Sequence, residues 1–146
     1  MNAWKPLTRK LATVGSALAM AASSLLLASS PASAATSCYA SSCHGLDPAT
    51  TICQNDAKTV AYGWFHAQEL RYSPTCRAAW TRYKTTSGEP ITVAVRREDG
   101  SATYSTHYAG DGVTVWTRMV NDKDALSRAC VFLLDGTNRY DCSDPY

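Results

Sequence analysis

Glu69 and Arg71 stand two positions apart in the run Glu-Leu-Arg-Tyr-Ser (69–73), with Arg82 further along. A carboxylate flanked by guanidiniums can hold a polar or anionic ligand through charge-assisted hydrogen bonds. On a strand, Glu69 and Arg71 share one face, opposite Leu70 and Tyr72. The same pair therefore also serves as an ion pair that fixes strand register, worth under about 1 kcal/mol if exposed, and this plainer reading is preferred. Trp64, Trp80 and Trp116, with eight tyrosines in the chain, offer rings that stack on sugars. Aliphatic bulk is scarce, with five Leu and two Ile beyond residue 34, so Trp80 and Trp116 are expected in the core. Trp64 is left open between core and recognition. The binding candidates are thus Glu69, Arg71, Arg82 and Trp64.

Catalytic signatures are weak. His44, His66 and His107 lie in separate segments, with no Gly-x-Ser-x-Gly or His-Glu-x-x-His run to enlist them. Glu69 with Asp56 or Glu98 is the pairing a glycoside hydrolase would need. No catalytic residue, metal ligand or cofactor is assigned. The six cysteines, at 38, 43, 53, 76, 130 and 142, lack the Cys-x-x-Cys or His spacing of a zinc site. An even number in a short exported chain reads instead as three disulfides, for which fifteen pairings exist.

Export is inferred from the start of the chain. Lys5, Arg9 and Lys10 precede an apolar run from Leu11 to Ala28, and Pro31-Ala32-Ser33-Ala34 supplies an Ala-x-Ala site. These are the parts of a secretory signal peptide, residues 1–34, cleaved after Ala34. The 112 residues that remain of 146 (35–146) fit a single secreted domain with no transmembrane segment. The whole chain has 14 basic and 12 acidic residues. Three basic residues leave with the leader, giving 11 against 12 and a net charge of −1, so nucleic acid is not an expected partner. Residues 58–97 carry seven basic and two acidic side chains, and 98–146 carry four and eight. Arg71, Arg77, Arg82, Arg96 and Arg97 would make a basic face if gathered, although compensation inside the domain is the preferred account.

The elements that must position these residues are mostly strands. Residues 35–57 are small, polar and turn-rich, with Gly45 and Asp47-Pro48 marking turns, and read as a disulfide-held cap. Asp47 and Pro48 also suit the start of a one- or two-turn helix. Thr59 to Ala67 and Gln68 to Ser73 are strand-like, although Asp56 to Glu69 also permits helix. Ser73-Pro74 turns the chain toward Trp80 to Thr85. Ile91 to Arg96 alternates cleanly, Asp99-Gly100 signals a hairpin, and Thr103 to Tyr108 returns. Val113 to Val120 and Arg128 to Leu134 are further strands around a charged loop. The sum is an all-β, mainly antiparallel fold: a small disulfide-stapled sandwich or barrel with an irregular N-terminal cap.

Several of these segments carry a family resemblance. Cys43-His44-Gly45-Leu46-Asp47-Pro48, Cys53, Asp56-Ala57-Lys58-Thr59-Val60 and Glu69-Leu70-Arg71-Tyr72-Ser73, with Cys76, Trp80 and Arg82, resemble the domain-of-unknown-function family 2690 of small exported Gram-positive bacterial proteins. The family pattern closes with Tyr or Trp, a small residue, Pro, Met and Val. Trp116 to Val120 matches it except that Arg118 replaces the proline, freeing a backbone N–H there. Some members carry two additional C-terminal cysteines, which Cys130 and Cys142 resemble. The resemblance implies that this optional pair is bonded together as Cys130–Cys142. Of the three arrangements left, Cys38–Cys43 with Cys53–Cys76 is favoured because it fastens the cap to the central stretch, and Cys43–Cys53 with Cys38–Cys76 is the alternative. The resemblance implies no activity or cofactor.

The expected function is an exported, non-enzymatic extracellular or cell-envelope-associated binding or structural domain. Its expected partner is a cell-wall polymer or another extracellular protein. A small secreted hydrolase is one alternative. An inhibitor or toxin-like protein docking through the Cys43–Cys53 loop is another.

Overall fold

The computed structural model describes residues 34–64, 67–134, 136–137 and 139–146. The expected signal peptide lies outside the described residues, apart from Ala34. The cap consists of three 3-10 turns, Ala40–Cys43, Pro48–Thr50 and Ile52–Asn55. The second and third start for a local reason. Asp47 accepts a hydrogen bond from the Ala49 N–H at 2.9 Å and Pro48 takes the first position, while Thr51 Oγ1 accepts from Cys53 N–H at 3.3 Å.

Among the described residues nine strands follow: β1 (Lys58–Tyr62), β2 (Gln68–Ser73), β3 (Ala78–Lys84), β4 (Ile91–Arg97), β5 (Thr103–Tyr108), β6 (Thr114–Trp116), β7 (Val120–Asn121), β8 (Ser127–Leu133) and β9 (Tyr140–Cys142). One sheet has the order β1-β2-β3-β6, with β7 also paired to β3, and the other has β5-β4-β8-β9. All strand pairs are antiparallel, and the sheets stack through β2 and β3 against β4 and β8. The architecture is an open sandwich, not a closed barrel. In its ladders Glu69 faces Arg82, and Arg71 lies between Thr59 on β1 and Trp80 on β3.

Period-two alternation sends Leu70, Ala79, Val95, Val120 and Ala129 to one inter-sheet cluster, and Tyr83, Ile91, Val93 and Val131 to a second. Thr81, fully buried, donates from Oγ1 to the Ala94 carbonyl at 2.7 Å and so joins the sheets by a polar contact. The other face of β3 is buried as well. There Ala78 and Trp80 pack with Met119, Cys43, Cys53 and Cys76 beneath the cap. Cys38 is bonded to Cys43, Cys53 to Cys76 and Cys130 to Cys142. The second bridge, with Ala40 N–H donating to the Cys76 carbonyl at 2.7 Å, fixes the cap on the β2–β3 turn.

Four local expectations change. Trp116 is 42 % exposed and not core, because its indole lies beyond the cap's covering edge and donates from Nε1 to Asp47 Oδ1 at 3.0 Å. Val113 to Val120 is not one strand. Met119 exchanges its ladder partners for the cap, its N–H donating to Leu46 and its carbonyl accepting from Gly45, both at 2.9 Å, so β6 and β7 are separated. The stretch before Gln68 extends only to Tyr62 and holds a strand where helix was also permitted. The tail contributes β9.

Asp122 is the one acidic side chain buried in the core among the described residues, 4 % exposed. Burial pushes its carboxyl up to about 6, partly offset by the hydrogen bond from Ser127 and the charges of Arg97 and Arg77. The folded chain thus holds this proton more tightly than the unfolded chain, whose carboxyl titrates near 3.8. The associated stability is complete below that value and is lost as pH rises through about 6. Asp122→Asn, which mimics the protonated form, is expected to raise the melting temperature at pH 7.5 by about 5 °C. Its advantage should shrink toward zero at pH 4 in a calorimetric pH series.

Candidate functional site

The charged cluster read from the sequence is assembled, and it is occupied with itself. Glu69 Oε2 accepts from Thr59 Oγ1 at 2.5 Å and from Arg82 Nη2 at 2.6 Å, and Arg71 Nη1 lies 3.8 Å away. Arg71 donates to Thr59 Oγ1 and to the Ala57 carbonyl, both at 2.7 Å. Burial pushes the Glu69 carboxyl up, but the bonds from Thr59 and Arg82 and the two positive charges outweigh it, and its pKa falls below the ordinary value. This network stitches β1, β2 and β3 together. Beside it, Arg71, Arg82, Trp80 and Trp116 line a cleft of about 280 Å³ under the edge of the cap.

A larger cavity, about 660 Å³, opens at the end of the sandwich where β2 and β9 begin and β3 and β8 end. That volume is within the usual range for small-molecule sites. Tyr83, Val131 and Leu133 give it an apolar floor continuous with the core. Trp64, 83 % exposed, and Tyr140, about half exposed, stand on its rim. Its polar wall is built over a long sequence separation. Asp141 Oδ2 accepts from the Trp64 backbone N–H at 2.9 Å and from Gln68 Nε2. Gly63 is needed here, because a Cβ at this position would collide with the Gln68 amide and the Asp141 carboxylate. Gln68 is fully buried, and among the described residues its Oε1 has no hydrogen-bond partner. A buried acceptor left unpaired costs about 1–3 kcal/mol unless something donates to it. The cavity can therefore stack a ring on Trp64 or Tyr140 and take a donor at Gln68.

Of the four sequence candidates, Glu69, Arg71 and Arg82 come together on one sheet face, while Trp64 belongs to the cavity at the sandwich end. Gln68, Asp141, Tyr83 and Tyr140 were missed. The one available signal was Cys142, whose bond to Cys130 carries the preceding residue alongside β8.

The remaining chemistry-bearing groups are dispersed. Asp56 accepts from Ser73 Oγ at 2.5 Å and from the Thr75 N–H at 2.9 Å, and although burial raises its pKa, these bonds bring it below the ordinary value. Glu98 pairs with Arg128 at 2.6 Å on the other sheet. His44 accepts from the Asn121 N–H at 3.2 Å, His107 bonds Thr92 at 2.7 Å, and His66 lies outside the described residues. The five arginines do not form one face. Arg97 pairs with Asp99 and Arg77 with Asp124, so part of the charge asymmetry is compensated internally, while Arg96 donates to the Tyr140 hydroxyl.

A family model described as "Protein of unknown function (DUF2690)" matches residues 41–130, more than half of the chain. No curated protein and no solved structure matches the chain significantly. The matched stretch includes the cap from Ser41 onward and the Glu69 network, whereas Asp141 lies beyond it.

The Glu69 network is expected to act on stability. Its lowered pKa means that its contribution is present above about pH 4.5 and is lost as pH falls through the folded value. Glu69→Gln should lower the unfolding free energy by about 1 kcal/mol at pH 7 and by less near pH 3, measured by urea denaturation at both pH values.

Proposed function

The chain belongs to the DUF2690 family, whose description assigns no function, and we propose for it a non-enzymatic binding role outside the cell or at the cell envelope. In this reading the leader is removed after Ala34 and residues 35–146 act as a single exported domain. The ligand is a polymer with sugar rings, of the kind found in cell walls. It lies across the open end of the sandwich, stacks on Trp64 and Tyr140 and donates a hydroxyl or amide hydrogen to Gln68 Oε1.

The observation that carries the proposal is the exposed Trp64 indole beside a cavity whose wall holds a buried acceptor without a partner. Indole faces and sugar C–H faces suit each other, and a polar group placed in an apolar recess supplies orientation. Three disulfides, and the absence among the described residues of any helix long and apolar enough to cross a membrane, are compatible with an exported protein. The binding reading is preferred to hydrolysis because the candidate acids Glu69 and Asp56 are held as hydrogen-bonded anions away from this cavity. An effective general acid is instead held near its operating pH.

The test is co-sedimentation of the mature protein with purified cell walls at low salt. The protein should pellet with the walls, and Trp64→Ala should weaken the apparent affinity about tenfold, the equivalent of about 1.4 kcal/mol. Glu69→Gln should bind like the parent. Recovery of the parent wholly in the supernatant, or unchanged binding by Trp64→Ala, would overturn the assignment.

A further inference from the structure

The four cysteines of the cap region form more than two separate bridges. Their sulfurs all lie within 4.8 Å of one another. Across the two bonds, Cys38 Sγ is 3.4 Å and Cys43 Sγ 3.8 Å from Cys53 Sγ. Cys43, Cys53 and Cys76 are fully buried, and Cys38 is half-buried. Four thiolates around a zinc ion at about 2.3 Å each are separated by about 3.8 Å. The sulfurs therefore already occupy a space of the size that a tetrahedral tetrathiolate requires.

We propose that, when both cap disulfides are reduced, Cys38, Cys43, Cys53 and Cys76 form a binding site for one soft divalent cation of the zinc type. Two equivalents of a dithiol reductant convert the two bridges to four thiols and are themselves oxidised to two cyclic disulfides. The entering cation forms four metal–sulfur bonds and the thiols release four protons. Linear spacing hides this site, because Cys38 and Cys43 are separated from Cys76 by more than thirty residues. The cap itself brings them together.

Two features favour the site. The ligands are also positioned by main-chain hydrogen bonds in addition to the disulfides: Ala40 N–H to Cys76 O, Gly45 N–H to Met119 O and Met119 N–H to Leu46 O. The cluster is also enclosed by Ala78, Trp80 and Met119, with Leu46 and Ile52 packed against it. This casing limits water competition and leaves Cys38 as the most accessible sulfur. The cap has little apolar content of its own, so a cation would replace the covalent staple where the surroundings are reducing. Metal binding then contributes directly to folding.

The test uses the mature chain, fully reduced and held anaerobic, and titrated with Co²⁺ and then Zn²⁺. One cobalt per chain should give the visible absorption of a tetrahedral thiolate complex, and zinc should displace it. With zinc bound, the number of the six thiols that react with an aromatic disulfide reagent should fall to two, those of Cys130 and Cys142. Cys130→Ser with Cys142→Ser should retain the cobalt signal, and Cys53→Ser with Cys76→Ser should abolish it. If the reduced chain loses its fold, zinc should restore the β-sheet circular dichroism. Six reactive thiols in the presence of zinc, a signal that persists without Cys53 and Cys76, or no recovery of structure would each overturn the site.

Discussion

The covalent bond from Cys53 to Cys76 determines how much of this small protein has an interior. Without the cap, the outer face of β3 would present Ala78 and Trp80 to water. The cap cannot stay there through apolar burial alone, because its sequence is rich in small and polar residues such as Ser, Thr and Ala. The bond attaches it at the β2–β3 turn, and main-chain hydrogen bonds to Cys76 and Met119 then align it. Trp80 becomes 5 % exposed and Met119 fully buried. A chain of this size has little core to spare, so an added layer over one strand matters more than it would in a larger domain.

The same economy separates the chain's two charged or polar assemblies. Around Glu69, the Thr59, Arg71 and Arg82 side chains are engaged with the carboxylate, with one another or with the Ala57 carbonyl, and such a network stabilises register while offering little to a ligand. At the end of the sandwich the ladders stop, β9 enters from the far end of the sequence, and Gln68 is left with an acceptor that the described residues do not satisfy. Ion pairs mark where the sheet is finished, and the unpaired amide marks where it is not.

Much of the fold was legible because alternation is a local property. Ile91 to Arg97 and Gln68 to Ser73 are fixed by period-two burial, and Asp47-Pro48 by its own turn chemistry. Elements that depend on distant partners were not legible. Met119 leaves the sheet for the cap carbonyl of Leu46, which nothing in Val113 to Val120 announces. Trp116 shares its face with Arg82, opposite it in the ladder, but whether that face is covered depends on where the cap ends. β9 is three residues long and too short for a pattern. The binding candidates divide in the same way. Glu69, Arg71 and Arg82 could be grouped from strand parity and a short turn, whereas Asp141 meets Gln68 across 73 residues of chain.

Cys130 and Cys142 are direct partners in the β8–β9 ladder, and β9 is the last strand on that side of its sheet. An edge strand is usually the piece a protein can lend to a neighbour, because only one ladder holds it. Here leaving the sheet would require breaking a sulfur–sulfur bond as well as the hydrogen bonds. While that bond is intact, a second copy cannot take up this tail in exchange for its own, so strand-swapped dimers and the chains of molecules they seed are closed off at this edge.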